Sequence, residues 1–280
     1  MNQPSIEDCF LRACRLDVAV RKPGNVSIHS AGHRMQAGQF IASAQAAAAP
    51  LCEPGASVGA RIEAAMDATW RAVGCNTNLG ILLLCAPLAA AAEREGARAS
   101  ASAMHAAVED VLAVLDVADA SAAYRAIAQA NPGGLGSAPE QDVHHPPTLN
   151  LRAAMTLAAS RDRIAAQYAN GFADVFGLGL ANLSPGFALM DDEAVQRVYL
   201  GFLAAMPDSH IVRKHGEAVA HTVMSAAQGW NARAAAADHE ALARWDEQLK
   251  AQGINPGTSA DLTVATLFLG GLLASPWHGT

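Results

Sequence analysis

The stretch Gly74 to Glu93, GCNTNLGILLLCAPLAAAAE, decides the fold. A compact polar turn, Gly74-Cys75-Asn76-Thr77-Asn78, leads straight into Leu79–Ala92, which carries no charged residue. The run falls short of the roughly 20 residues needed to cross a bilayer. It predicts a helix buried on all sides at the centre of a larger helical body, with Pro87 kinking it rather than breaking it. The free N–H groups of its first turn and the positive end of its dipole meet water at the polar turn. Such a terminus is suited to an anion.

The rest of the chain agrees with a helical reading. A length of 280 residues suffices to bury a large core, and the chain reads as one domain over 1–280. Hydrophobic residues make up 51% and charged residues 16%, so the body is soluble and globular; aromatics are only 5%, and alanine supplies much of the apolar content. Alanine, leucine, glutamate and arginine favour helix, and runs of β-branched residues are scarce. The expected class is all-α, a bundle-like domain with buried central apolar helices. A net charge of −7 leaves no basic field to attract nucleic acid or an anionic membrane surface. The opening MNQPSIEDCF has neither the basic nor the apolar region of a secretory signal. Cys9, Cys14, Cys52, Cys75 and Cys85 include no CxxC pair, so they read as reduced small hydrophobes in a cytoplasmic protein.

Periodicity and caps place the other helices. Ile6, Cys9, Phe10, Ala13, Leu16 and Val20 stripe a helix over 5–20, and a short helix over 39–49 ends at Pro50. From a Ser57 cap to a Gly74 stop, Val58, Ile62, Met66 and Trp70 face inward while Arg61, Glu63, Asp67 and Arg71 face out. Further helices are expected over 102–115 and 121–130, and one long helix from an Asn150 cap to Asn170. Another starts at Asp191 or Asp192 and runs to Met206. From an Asp238 cap to Gly253, Glu240/Arg244 and Asp246/Lys250 form ion pairs on the outside. Thr263–Ala274 is a second nearly charge-free helix. The breaker-rich segment 131–147, NPGGLGSAPEQDVHHPP, reads as a long loop and candidate lid, with His144 and His145 as candidate ligand contacts.

Four polar turns share one design: Lys22–Arg34, Gly74–Gly80, Pro207–Gly216 and Asn255–Leu262. Each sets small, hydrogen-bonding or charged residues where a loop meets an apolar helix, so all four can open onto one end of the bundle and form one cleft. The first offers Lys22, Asn25, His29, His33 and Arg34. The third places Arg213, Lys214 and His215 within two turns of Asp208 and His210, which resembles a polyphosphate site with a Mg²⁺ carboxylate beside it. A plainer reading makes Asp208 or Ser209 a helix cap, and Thr258-Ser259-Ala260-Asp261 a relative of the capping box.

In order along nearly the whole chain, Lys22-Pro-Gly-Asn-Val, Asn76-Thr77-x-x-Gly80, Asp208 followed by Arg213 and Gly216, and Asn255-Pro-Gly-x-Ser-Ala-Asp-Leu resemble the triphosphoribosyl-dephospho-CoA synthase family. The last motif is the most specific. The resemblance implies an all-α cytoplasmic enzyme that displaces adenine from ATP with the ribose hydroxyl of dephospho-CoA. On it, Asp208 and Asp261 are candidates for base or Mg²⁺ ligand, and His210 is a third candidate catalytic group. Lys22, Arg213, Lys214 and His215 are candidates for phosphate, and Asn25, His29, His33, Asn76, Thr77, Asn78, Asn255 and Ser259 for oriented polar contacts.

The chain also departs from the family pattern. Asn78 and Leu79 stand where the family turn usually reads His-Lys, Met35 and Gln36 replace a common acidic residue, and Arg213-Lys-His-Gly replaces Arg-Gly-Gly. The departures raise a second reading, a divergent member serving methanopterin- or methanofuran-type one-carbon cofactor synthesis with a different substrate. A third is a non-catalytic ligand-binding protein. The expected partners are small nucleotide and cofactor-precursor molecules, without nucleic acid or membrane, and the sequence allows a homo-oligomer.

Overall fold

The structure, a computed structural model, describes residues 4–33, 35–96, 99–132, 140–183, 192–232 and 239–274. Among them are fourteen α-helices, one π-helical turn and no β-strand. In chain order the helices are α1 (Ile6–Ala19), α2 (Ala37–Leu51), α3 (Val58–Val73), α4 (Leu79–Glu95), α5 (Ala101–Ala113), α6 (Val117–Ala130) and α7 (Leu151–Ala158). Then come α8 (Arg163–Asn170), the π-helical turn Val175–Gly179, α9 (Leu180–Asn182), α10 (Asp192–Ala205), α11 (Ser209–His215), α12 (Glu217–Ala232), α13 (His239–Ala251) and α14 (Gly257–Ala274).

The chemistry of the ends fixes where these helices start and stop. Ser5 and Asp8 form a reciprocal capping box on α1, and Ser57 accepts from the Ala60 amide to open α3. Gly74 closes α3 at φ +67°, where the absence of a Cβ removes the steric cost of a left-handed residue. Pro87 lies inside α4 without ending it, and α2 runs one residue past Pro50 to the buried Leu51.

Helix α4 is the buried centre that its sequence predicts: every residue from Leu79 to Ala92 except Ala90 is buried. It packs against α3, α5 and α14, and α14 in turn against α1, α10 and α11. α14 is long and apolar enough to cross a membrane by length and composition, but 78% of that span is buried within the protein. A second apolar cluster joins α10, α11, α12 and α13 through Tyr199, Leu203, Ile211, Val223 and Leu249.

Several expectations need correction. The helix expected from Asn150 to Asn170 is two, because Asp162 caps α8 by accepting from the Ile164 and Ala165 amides and so restarts the chain. Helix α14 begins at Gly257, so Thr258–Asp261 lie in its first turn and do not cap it. Trp70 is not core: it is 38% exposed, whereas Met66 beside it is fully buried. Arg61 and Asp246, expected on outer faces, are both buried. Arg61 reaches the Leu51 and Ala56 carbonyls and Glu93. Asp246 does pair with Lys250, but from inside the protein, and it also holds Arg21 and the Gly24 amide. The expected Asp238 cap, and Arg34, lie outside the described residues.

Candidate active site

A cavity of about 760 Å³ opens where α4 begins, and parts of all four polar turns reach it. α3 and α4 contribute Trp70 and Gly74–Ile81, the first loop Asn25 and His33, and α11 His210, Arg213 and Lys214. The start of α14 brings Asn255, Thr258 and Asp261. The remaining wall comes from the last turn of α1, Phe40 of α2, the C-terminal half of α6 with Asn131, Pro132 and Glu140–Val143 after it, and the junction of α7 with α8.

The first loop is held from three sides. Gly24 donates to Asp246 (2.8 Å), Tyr199 donates to the Pro23 carbonyl (2.6 Å), and the His33 ring contacts the Gly24 carbonyl (2.8 Å). Gly24 sits at φ +82°, and a Cβ there would lie 2.7 Å from Pro256. That close approach ties the Lys-Pro-Gly loop to the Asn-Pro-Gly loop, and Asn25 donates to the Asn255 carboxamide (3.0 Å) to complete the bond between them.

Lys22 does not reach the cavity. It is fully buried and ion-paired with Asp17 (3.2 Å), so the structure does not bring it together with Arg213 and Lys214. Its partner Asp17 does line the cavity, and burial raises the Asp17 pKa against the opposing pull of Lys22. Asp208 also lies off the cavity wall. It is 1% exposed, and its carboxylate accepts from the His210 and Ile211 amides and from the Ser259 amide and hydroxyl. Both oxygens are thus taken up by donors, and the structure does not bring Asp208 to the cavity with Asp261 and His210. Asp208 opens α11 and at the same time satisfies a first-turn amide of α14. Ser259 is buried in that arrangement, His29 is exposed away from the cavity, and His215 contacts the Gly253 carbonyl (3.1 Å) instead. His144 and His145 are exposed, although Glu140–Val143 of the same loop reach the wall; residues 133–139 of the expected lid lie outside the described residues.

Asp261 is the carboxylate that faces the cavity at the start of α4. A Cβ on Gly80 would lie 2.0 Å from its Oδ2, so the glycine is what lets the carboxylate approach the positive end of the helix. The terminus thus has the protein's own Asp261 carboxyl group beside it. No hydrogen bond holds Asp261 among the described residues. Burial raises its pKa well above the ordinary value, the charges of Asp17 and Asp208 raise it further, and Arg213 opposes them. His210 is pushed the other way, down to about 3, by burial and by Lys214 and Arg213, so its imidazole is neutral at physiological pH.

Polar atoms left without a partner collect here. Of the nine buried side-chain polar atoms with no hydrogen bond among the described residues, six belong to residues lining this cavity. They are Asp17 Oδ1, which has only its ion pair with Lys22, and Thr77 Oγ1, Asn78 Nδ2 and Oδ1, His210 Nε2 and Arg213 Nε, which have no partner. Buried polar groups are normally paired, so such a concentration marks a surface completed by water or ligand. The Asn76 carboxamide oxygen accepts from the Leu79 amide (3.2 Å), the first of α4. Arg213 is braced by Asp162 (2.6 Å), and Lys214 is exposed at the rim. No group of three or more His, Cys, Asp or Glu side chains able to hold a metal occurs among the described residues.

Asp17 and Asp162 were missed by sequence reasoning. Asp17 follows Phe10, Ala13 and Cys14 at helical spacing, so an acid on the inward stripe of α1 was the available signal. Asp162 precedes Ile164 as a cap would, but the apolar pattern continuing across it hid the break.

Comparisons with known proteins converge on one family. The model of the ATP:dephospho-CoA triphosphoribosyl transferase family matches residues 3–279. A solved structure from Archaeoglobus fulgidus, provisionally described as a triphosphoribosyl-dephospho-CoA synthase, superimposes with a TM-score of 0.70 at 24% identity. The match covers 85% of this chain and 99% of that one, and it speaks to the fold. No curated protein matches the chain.

Proposed function

The chain belongs to the ATP:dephospho-CoA triphosphoribosyl transferase family and is a transferase of that type; we propose that it carries out the family reaction in the cavity at the start of α4, as one cytoplasmic domain. The observation that carries this reading is the ring of unpartnered buried polar atoms around a cavity of nucleotide size. In the proposed reaction a ribose hydroxyl of dephospho-CoA forms a bond to C1′ of the ATP ribose while the C1′–N9 bond to adenine breaks. The hydroxyl proton passes to Asp261, and the bond electrons leave with adenine.

The roles follow from environment. A carboxylate whose pKa is raised is a better base than an ordinary aspartate, and Asp261 has no competing donor. Neutral His210 offers a ring nitrogen for hydrogen bonding to a reacting group rather than an acid proton at pH 7. Arg213, held by Asp162, and Lys214 are the cations available to the triphosphate. Asn25, Asn76, Thr77 and Asn255 orient the substrates. The donor set fits Mg²⁺ only as an ion carried on the triphosphate, with Asp261 as the available carboxylate, because Mg²⁺ commonly uses one or two carboxylates with phosphates and water. Such an ion would neutralise phosphate charge; positioning and proton transfer remain the work of the chain.

The divergent-substrate and non-catalytic readings have no support over this one. The test is incubation with ATP, Mg²⁺ and dephospho-CoA, with adenine followed by chromatography. Release of adenine dependent on dephospho-CoA is expected, and its absence at any substrate concentration would overturn the reading.

A further inference from the structure

The turn that opens α4 holds an amide with nothing to bind. Asn78 is 4% exposed and lines the cavity, yet neither Nδ2 nor Oδ1 has a hydrogen-bond partner. It is the N-cap residue of α4, but its side chain makes no capping hydrogen bond, and Asn76 accepts from the Leu79 amide. A buried amide with both halves free costs stability unless something in the cavity offers an acceptor and a donor side by side.

Its surroundings say what that something is not. Asp261 lies against the first turn of α4, close enough to exclude a Cβ on Gly80, so a carboxylate already occupies the helix end. The next residue, Leu79, is apolar and also lines the cavity, and the wall continues through Ile81, Ile127 and Trp70. The cations, Arg213 and Lys214, belong to α11. Polyphosphate is therefore drawn to the cations of α11, and with Asp261 filling the helix end the α4 corner is left to a flat, neutral ring.

We infer that the Asn78 carboxamide reads the N6/N7 edge of an adenine, its Oδ1 accepting from the exocyclic amine and its Nδ2 donating to N7. This inference rests on the proposed function and adds the residue that selects the base. Asn forms a bidentate pair with the adenine N6/N7 edge, whereas guanine or hypoxanthine shows two acceptors there and leaves Oδ1 facing a carbonyl oxygen. If the adenine is the leaving group of ATP, the Nδ2–H bond to N7 also stabilises the electron pair that adenine takes as C1′–N9 breaks.

ATP and dephospho-CoA both carry adenine, so the experiment separates them. Calorimetric affinities of the wild-type protein are measured for ATP, for 7-deaza-ATP, which lacks N7, and for inosine triphosphate, each without acceptor. The same set is made for dephospho-CoA and its 7-deaza analogue. The inference predicts that one of the two substrates loses about 5- to 150-fold in affinity when N7 is removed, the worth of a bidentate amide–base pair. The substrate that loses it identifies the source of the adenine. In Asn78→Ala the loss should shrink to within about threefold, and Asn78→Asp, which cannot donate to N7, provides a second variant if the first does not fold. Equal binding of the normal and 7-deaza forms of both substrates overturns the inference while adenine release keeps the proposed function. Discrimination that persists in both variants overturns it as well. If neither substrate binds, the inference and the proposed function both fall.

Discussion

Replacing Gly80 with alanine tests the site at one atom. The added Cβ would lie 2.0 Å from Asp261 Oδ2 and 2.6 Å from its Cγ, where real contacts essentially never fall below 3.0 Å. The carboxylate oxygen must therefore retreat by about 1 Å, and Ile164 Cδ1, at 2.7 Å, blocks one way out. A displacement of about 1 Å in a positioned group can cost roughly 100-fold in rate, which is about 2.7 kcal/mol of barrier at 1.36 kcal/mol per decade. Stability should fall less. Overpacking costs about 1–3 kcal/mol, but alanine recovers roughly 0.5–1 kcal/mol over glycine inside a helix.

The assay is initial-rate release of adenine from ATP with dephospho-CoA, alongside thermal unfolding. Gly80→Ala should keep its fold and lose about 100-fold in kcat. Because the effect runs through Asp261, Gly80→Ala combined with Asp261→Asn should be no slower than Asp261→Asn alone. A Gly80→Ala protein within about threefold of wild type in kcat, at unchanged substrate affinity, would refute the reasoning. So would a double variant whose losses multiply.

Three other substitutions follow from the same geometry. The Asp261 pKa is raised in the folded chain, so the native state holds that proton more tightly, and stability is lost as pH climbs from the ordinary 3.8 through the folded value. Asp261→Asn should therefore stabilise the protein near pH 7.5, with no gain below about pH 4; a Tm difference independent of pH would count against it. Lys22→Met should destabilise by about 3–5 kcal/mol by leaving Asp17 buried without its partner, and Asp17→Asn in the same chain should restore much of the loss in denaturant unfolding. Asp208→Asn should cost more than the roughly 1–2 kcal/mol of a single lost cap, because Asp208 serves α11 and α14 together; a Tm equal to wild type would show that the shared cap is dispensable.

How much of this could be read from the chain depends on the range of the interaction. The charge-free run after Asn78 and the closing run after Asp261 identified the two buried helices, because an apolar residue on every face has few other places to go. Helix ends marked by Ser57, Gly74 and Asn150 were legible for the same local reason. Burial of charge was not. Arg61 and Asp246 sit on faces that periodicity assigns to solvent, and their partners lie at Leu51, Glu93, Arg21 and Gly24, far apart in sequence. The burial of Lys22 was hidden likewise: the lysine pairs with Asp17, and the loop presents Asn25 and His33 to the cavity.

Of the two acids that could be cap or catalytic group, Asp208 caps a helix off the cavity wall and Asp261 lines the cavity. Asp208 joins the first turns of α11 and α14, with His210 also donating its amide to Thr258 (3.2 Å). Those two turns carry His210, Arg213 and Asp261 into the cavity. A side chain at the end of a helix keeps its direction only if that end keeps its place, and a carboxylate with four donors holds both ends at once. Gly257 shows how closely the two turns meet, since a Cβ there would lie 2.9 Å from His210 Nδ1. The neutral His210 and the cavity-facing Asp261 are thus fixed relative to each other by an acid that lies off the cavity wall. On this view the Asn255–Leu262 motif is specific because it meets several demands at once. Asn255 pairs with the first loop, Gly257 admits His210, Ser259 answers Asp208, and Asp261 reaches α4 through the space left by Gly80.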